Sequence, residues 1–236
     1  RPPFIRGLTS YAVIAMIDSN IPNNFGLARA VDCKFREGSL ICPSFPAPTG
    51  FYSMTIPMVE DVMFEALSQL AGRPAVAHNA PSGMIVLGGQ GGSGRRYVQY
   101  EIIISANGAH DGGDGWTGTG HSWSGGAKYA NVEILESEFP VEMTRFQLAP
   151  DTGGAGEYRG GLSLWREYRV NGPSRYAGGT VRSSSPPSGV LGGGSGIAGA
   201  IITNPGTERE QRYDGLISNI ALEPGDVVRS ETGSGG

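Results

Sequence analysis

Apolar positions in the first seventy residues recur at helical spacing. In "TSYAVIAMIDSNIP", Val13, Met16 and Ile17 follow a capping Thr9 or Ser10, and the pattern stops before Pro22, which predicts a helix. "MVEDVMFEALSQLAG" predicts a second, with a stripe of Val59, Val62, Met63, Ala66, Leu67 and Leu70 and with Gly72 at the C-cap position. Between them "AVDCKFREGSLICP" alternates Val31, Cys33 and Phe35 with polar neighbours and turns at Glu37-Gly38, the pattern of a hairpin. Beyond residue 84 the helical period disappears. Short strands are predicted at "MIVLG", "YVQYEIIIS", "YANVEILE", "EMTRFQLAP", "SLWREYRV", "AGAIITN" and "DVVRSE", with Pro224-Gly225-Asp226 as the turn before the last. Glycine clusters at 88–94, 106–126, 153–161, 189–199 and 233–236 separate them at uneven intervals, so they read as connecting loops and not as a solenoid repeat. The fold class expected is α+β: β-rich, with a few helices near the N-terminus and long glycine-rich loops. The change near residue 84 separates a mixed α/β segment, 1–84, from a β-rich segment, 85–236, and the two could still form one continuous domain.

Composition narrows the class. A chain of 236 residues can bury about 70–75% of the surface its unfolded form exposes. Its 39 glycines lack the G-X-Y period of collagen, and strands rich in Val, Ile and Tyr interrupt the clusters, which argues against a disordered low-complexity chain. A formal net charge of −4 offers no basic footprint for nucleic acid. No run approaches the roughly eighteen apolar residues of a membrane span. The start, "RPPFIRG", has prolines where a signal peptide has its apolar core, so no membrane association and a cytoplasmic location are expected. In a reducing compartment Cys33 and Cys42 are expected as two buried thiols. Three histidines, His78, His110 and His121, without CxxC or HExxH spacing give no support for a metal site in this chain.

Candidate chemistry concentrates in one loop, "ANGAHDGGDGWTGTGHSWSGG". His110, Asp111, Asp114 and His121 are the candidate catalytic groups, and Trp116 and Trp123, interleaved with them, are candidates for substrate binding. Glycine frees such a loop to place a base beside an apolar ring. The competing reading is a surface loop whose aspartates make local turns and whose tryptophans pack on a sheet. Glu101 reads as an outward strand residue.

In "DTGGAGEYRGGLSLWREYRV", Leu162, Leu164 and Arg166 share one strand face, and the preceding glycines permit close backbone approach. Asp151 and Arg159 are expected to brace neighbouring loops by a charge-assisted bond. A phosphate cradle is the alternative. It needs exposed N–H groups at a helix start, and here a strand follows. "GVLGGGSGIAG" lacks the strand-loop-helix context of a dinucleotide site.

The order of motifs resembles the hydantoinase B/oxoprolinase family. The resemblance rests on "IPNNFGLARAV" with "EGSLICPSFPAP", on "GGQGGSGRRYVQYE", on "VEILESEFPVEMTRFQLAPDTGGAGEYRGG", and on "PSGVLGGGSGIAG" with "LEPGDVVRSETGSGG". It implies a carboxy-terminal half, either encoded separately or cleaved. Members of the family usually begin with a longer segment that carries a GDxxxxNDP-like stretch and paired histidines, which this sequence lacks. It also implies a hydantoinase A-type ATPase partner that binds ATP and Mg, and a further polypeptide supplying the N-terminal half. The reaction implied is ATP-dependent opening of a cyclic amide (hydantoin, 5-oxoproline or a lactam) through a phosphorylated intermediate, or else ketone carboxylation of the acetone or acetophenone type. A purely non-catalytic assembly subunit is the third possibility.

Overall fold

A computed structural model describes residues 2–50, 52–119 and 128–236 and divides the chain into two compact units, Arg1–Val76 and Ala77–Gly236. His121 and Trp123 lie outside the described residues. The first unit contains α1 (Pro2–Met16), α2 (Phe25–Ala30) and α3 (Tyr52–Ala71). The second contains α4 (Val132–Glu138) and nine strands in two antiparallel sheets. This is the expected α+β class. Among the described residues no helix is long and apolar enough to cross a membrane.

The first unit departs from its periodicity in three places. Helix α1 begins at Pro2, because proline suits the first helical turn, where its missing N–H would be unpaired anyway. Thr9 and Ser10 are therefore interior, not capping, and bond back to the carbonyls of Ile5 and Arg6 at 2.8 and 3.3 Å. Helix α3 starts before Met58 and turns a different face inward: Met54, Ile56 and Phe64 are buried, whereas Val62 and Leu70 are exposed. Phe64 packs with Ala12 and Met16 of α1, with Tyr11 and Met63 beside them. Gly72 does take the left-handed conformation of a helix end, at φ +62°. The expected hairpin over 31–42 is absent apart from one bridge, Ser39 to Cys42. Val31, Cys33 and Phe35 do alternate in burial, but the segment has no partner strand among the described residues. Instead Phe35 lies under the Arg6 guanidinium of α1, 5.7 Å from ring centroid to Cζ. Both cysteines are free thiols, half-buried rather than fully enclosed.

In the second unit one sheet has the order β2 (Arg96–Ile103), β1 (Gly83–Gln90), β5 (Ser174–Gly179), β8 (Leu216–Leu222). The other runs β3 (Val141–Leu148), β4 (Leu164–Val170), β9 (Val227–Glu231), β6 (Ala200–Thr203), β7 (Gln211–Tyr213). A single core joins their inner faces, with Ile85, Leu87, Ile103 and Tyr176 from the first and Leu164, Tyr168, Ile201 and Val228 from the second. Strands β5, β7 and β8 were not legible in the sequence, and "YANVEILE" forms helix α4 instead of a strand. Its three glutamates favour a helix, and only Leu135 has to be buried.

Glu101 is not an outward residue. It is 9% exposed and turns into the core of the sandwich, where its carboxylate pairs with Arg166 across the two sheets at 2.6 Å. The Tyr168 hydroxyl donates to the same carboxylate and accepts from Arg166 Nε at 2.6 Å. The Arg166 guanidinium, fully buried, is covered by the faces of Tyr129 and Phe146, 4.4 and 4.7 Å from its Cζ. Burial pushes the Glu101 carboxyl up, while the Arg166 charge and the Tyr168 hydroxyl pull it back. Because arginine cannot discharge itself by losing a proton, the carboxylate is its counter-ion in the core. Glu101→Gln and Arg166→Met are each expected to cost about 3–5 kcal/mol in denaturant unfolding. The double variant should cost clearly less than the sum, since it leaves no lone charge.

On the opposite face of β4, Glu167 meets Arg229 of β9 at 2.7 Å and accepts from Thr144 at 2.7 Å. Partial burial acts to raise the Glu167 carboxyl, but these hydrogen bonds and the Arg229 charge outweigh it and hold the group below the usual carboxylate range. A depressed folded-state value means stability that is present above the unfolded carboxyl value of roughly 4.3 and lost as pH falls below it. The unfolding midpoint is expected to fall on acidification in that range, and less steeply in Glu167→Gln.

Candidate functional site

The glycine-rich segments of the second unit are not separate loops. Segments 77–80, 105–118, 153–161, 187–196 and 232–236 lie backbone against backbone and exchange hydrogen bonds. Ala77 N–H donates to Ala109 O, Ala109 N–H to Gly236 O, and Gly236 N–H to His78 O, at 2.8, 3.0 and 3.0 Å. Gly161 N–H donates to Asn107 O, and Gly235 N–H to Gly161 O. The packing leaves no room for side chains. A Cβ on Gly115 would lie 2.1 Å from the carbonyl oxygen of Asn107, and one on Gly235 would lie 1.9 Å from the same atom. The residues 232–236 are wholly buried in this lattice.

Few side chains enter it: the methyl groups of Ala77, Ala80 and Ala106 and a small set of polar groups. Asn79, 1% exposed, accepts from Asn107 Nδ2 and Gly108 N–H at 3.1 and 3.2 Å, and Thr119 donates to Asn107 Oδ1 at 2.8 Å. Thr117 Oγ1 accepts from Leu162 N–H at 2.9 Å. Ser188 Oγ and His78 Nδ1 form a half-buried pair at 2.8 Å. None of Asn79, Asn107 or Ser188 stood out in the sequence, because single amides and hydroxyls beside glycines carry no periodic signal.

The lattice fixes the loop that carries the candidate catalytic groups. Bridges between Ala106 and Thr117 and between His110 and Gly113 make it a narrow hairpin-like projection, with Gly112 in the left-handed region at its tip. His110, Asp111, Asp114 and Trp116 are all exposed on it. Asp114 acts as a brace: its Oδ1 accepts from Arg159 N–H at 2.8 Å, while Gly115 N–H donates to Arg159 O at 2.8 Å. The bond expected from Asp151 and the Arg159 side chain is thus supplied by Asp114 and the Arg159 main chain. Asp151 is exposed, in a left-handed turn at φ +55°.

His110 is held by its neighbours on this projection. Its Nδ1 lies 3.0 Å from the carbonyl oxygen of Asp111, which can only accept, so in the neutral ring Nδ1 is the donor and Nε2 the free acceptor. The ring rests over Gly113, where a Cβ would come within 2.8 Å of Cε1. Trp116 presents an exposed ring two residues beyond Asp114 on the same projection. The arrangement can offer a proton acceptor and an aromatic surface to a substrate.

The phosphate-cradle alternative lacks its helix: β4 follows the loop, and the amides of Gly154, Gly160 and Gly161 already donate to main-chain carbonyls and that of Arg159 to Asp114. Among the described residues no three of His, Cys, Asp and Glu come together in a way that could hold a metal ion.

Residues 3–236 match the Hydantoinase B/oxoprolinase family. The chain belongs to that family. It is 29% identical to 5-oxoprolinase 1 of Arabidopsis thaliana over 238 residues, which cover 97% of this chain and 18% of that protein. The crystal structure of the ATP-dependent caprolactamase from Pseudomonas jessenii shares its fold with a TM-score of 0.77 at 22% identity, over 97% of this chain and 41% of that one. A nucleotide-free acetone carboxylase structure shares the fold with a TM-score of 0.54 at 16% identity, over 73% of this chain and 27% of that one. The chain spans between 18% and 39% of the length of the curated relatives that it matches nearly end to end.

Substitution tests the brace. Asp114→Ala is expected to destabilise the second unit by about 0.5–1.5 kcal/mol, the net contribution of one hydrogen bond, while Asp114→Asn keeps an acceptor and costs less. Gly115→Ala should cost more than either, because main chain must move to admit the methyl group. Chemical denaturation checks all three.

Proposed function

We propose that this chain is the part of a B-type subunit that completes the ATP-dependent opening of a cyclic amide, with His110 as general base, Asp111 beside it, and Trp116 against the apolar ring of the substrate. The observation that supports it most is the exposed His110, oriented by the Asp111 carbonyl and by Gly113 on a loop held rigid from below. A hydrolase is favoured over a carboxylase by the relatives: 5-oxoprolinase and caprolactamase both act, by name, on cyclic amides.

In this reading a hydantoinase A-type partner binds ATP and Mg and transfers a phosphoryl group to the amide oxygen. The modified carbon is then open to water, because loss of amide resonance lowers the barrier. His110 Nε2 takes a proton from the attacking water, the ring C–N bond breaks, and the nitrogen leaves as a protonated amine. A second water releases phosphate from the acyl phosphate. This chain supplies the base and the aromatic surface.

The test uses the assembled complex with a panel of lactams and hydantoins. His110→Ala is expected to lower amide turnover by about 10²–10⁴-fold, the usual contribution of a positioned base, with assembly unchanged. Turnover should not require bicarbonate, and this chain alone should hydrolyse no ATP. Unchanged turnover by His110→Ala in an intact complex would assign the chain to assembly instead, and bicarbonate-dependent ATP consumption with a ketone would assign it to carboxylation.

A further inference from the structure

The outer face of the sheet β2-β1-β5-β8 is apolar, and it is exposed along its edge strands while Met84 and Gly179 in its middle are buried. Val98, Tyr100 and Ile102 of β2, an edge strand, are 68, 59 and 44% exposed, and Leu216 of β8 is 56% exposed. Cross-strand pairing puts them on a common surface: Tyr100 lies opposite Val86, which lies opposite Ala177, while Ile102 lies opposite Met84, then Gly179, then Leu216. The four strands contain one carboxylate, Glu101, and that one points inward to Arg166. The only charges the strands can offer outside are basic, from Arg96 and Arg175, both exposed at the end of the sheet nearer Gln90. Isolated apolar residues on a surface mean little, but three alternate positions of one edge strand with apolar neighbours behind them form a contiguous patch.

We infer that this face is the seat of the remaining region of the B-type subunit, which covers β2 with an apolar surface rimmed by carboxylates opposite Arg96 and Arg175. The inference rests on the B-type reading above and adds to it the surface through which the two regions join. Its occupant follows from two observations. A patch without charge at its centre resembles the middle of a permanent interface more than that of a transient contact, where the whole surface is about as polar as any other. The solved caprolactamase chain carries more than half of its length beyond the part that this chain covers, so in that polypeptide a further region is tethered to the matching one. A tether supplies effective concentrations in the millimolar range and avoids most of the entropy of bringing two molecules together.

The experiment places a photo-crosslinking p-benzoylphenylalanine at Tyr100 in the assembled enzyme, with a control at Phe45, 99% exposed in the first unit. Peptide mapping is expected to place the Tyr100 crosslinks in the remaining B-type region, whether it is joined to this chain or separate. Tyr100→Glu together with Ile102→Glu should weaken recovery of the separate region at least tenfold, or raise proteolysis of the joined one, with β-sheet content unchanged by circular dichroism. Crosslinks to the ATPase partner, crosslinks to a second copy of this chain, or none from an intact enzyme would each overturn the inference while leaving the catalytic reading in place. Failure to recover any B-type region with the chain would overturn both.

Discussion

The candidate site depends on the approach of main chain to main chain around the carbonyl of Asn107. That oxygen accepts from Gly161 N–H, and it is the atom a Cβ on either Gly115 or Gly235 would strike. Three segments distant in sequence therefore meet at one carbonyl, which is possible only without side chains. The hydrogen bonds there replace those to water, so the buried polar backbone is satisfied without a regular sheet. The projection bearing His110 is thus held by something other than regular secondary structure, and it keeps the ring in one orientation.

The sandwich below solves a different problem. Its inner faces are largely apolar, and at Glu101, Arg166 and Tyr168 a complete ion pair is buried between rings. Replacing such a pair by hydrophobic side chains is often neutral for stability, whereas breaking one is costly, so its effect is to penalise other alignments of the two sheets. A one-residue slip of β2 would turn Glu101 outward and strand Arg166 without a counter-ion. The same slip would bring Val98, Tyr100 and Ile102 inside, so one alternation decides both the core and the open outer face.

Much of the β architecture was legible, and the reasons for the misses are local. Strands with several β-branched or aromatic residues, such as those over "YVQYEIIIS" and "SLWREYRV", announced themselves. Strand β5, which ends in two glycines, and β8, with Ser218 and Asn219 at its middle, did not, because strand propensity there gives way to tertiary pairing. Glu101 was misread because an alternating pattern shows which residues share a face without showing which face is inside. The Arg166 that would have decided it lies sixty-five positions away. The loop with His110, Asp111, Asp114 and Trp116 was singled out from composition alone, but the contacts within it, with Asp114 bracing and His110 oriented by the Asp111 carbonyl, needed the fold. His78, Asn79 and Ser188 carried no signal, since their importance comes from contacts with segments far along the chain.

Native-state hydrogen exchange tests most directly whether the glycine segments form one unit with the sandwich. The amides of Ala109, Gly161, Gly235 and Gly236 are predicted to exchange only through the global opening of the Ala77–Gly236 unit, with the same protection and the same denaturant dependence as core amides such as those of Ile201 and Val228. Exchange of the 232–236 amides through a smaller opening, many-fold faster than the core and insensitive to denaturant, would contradict the account.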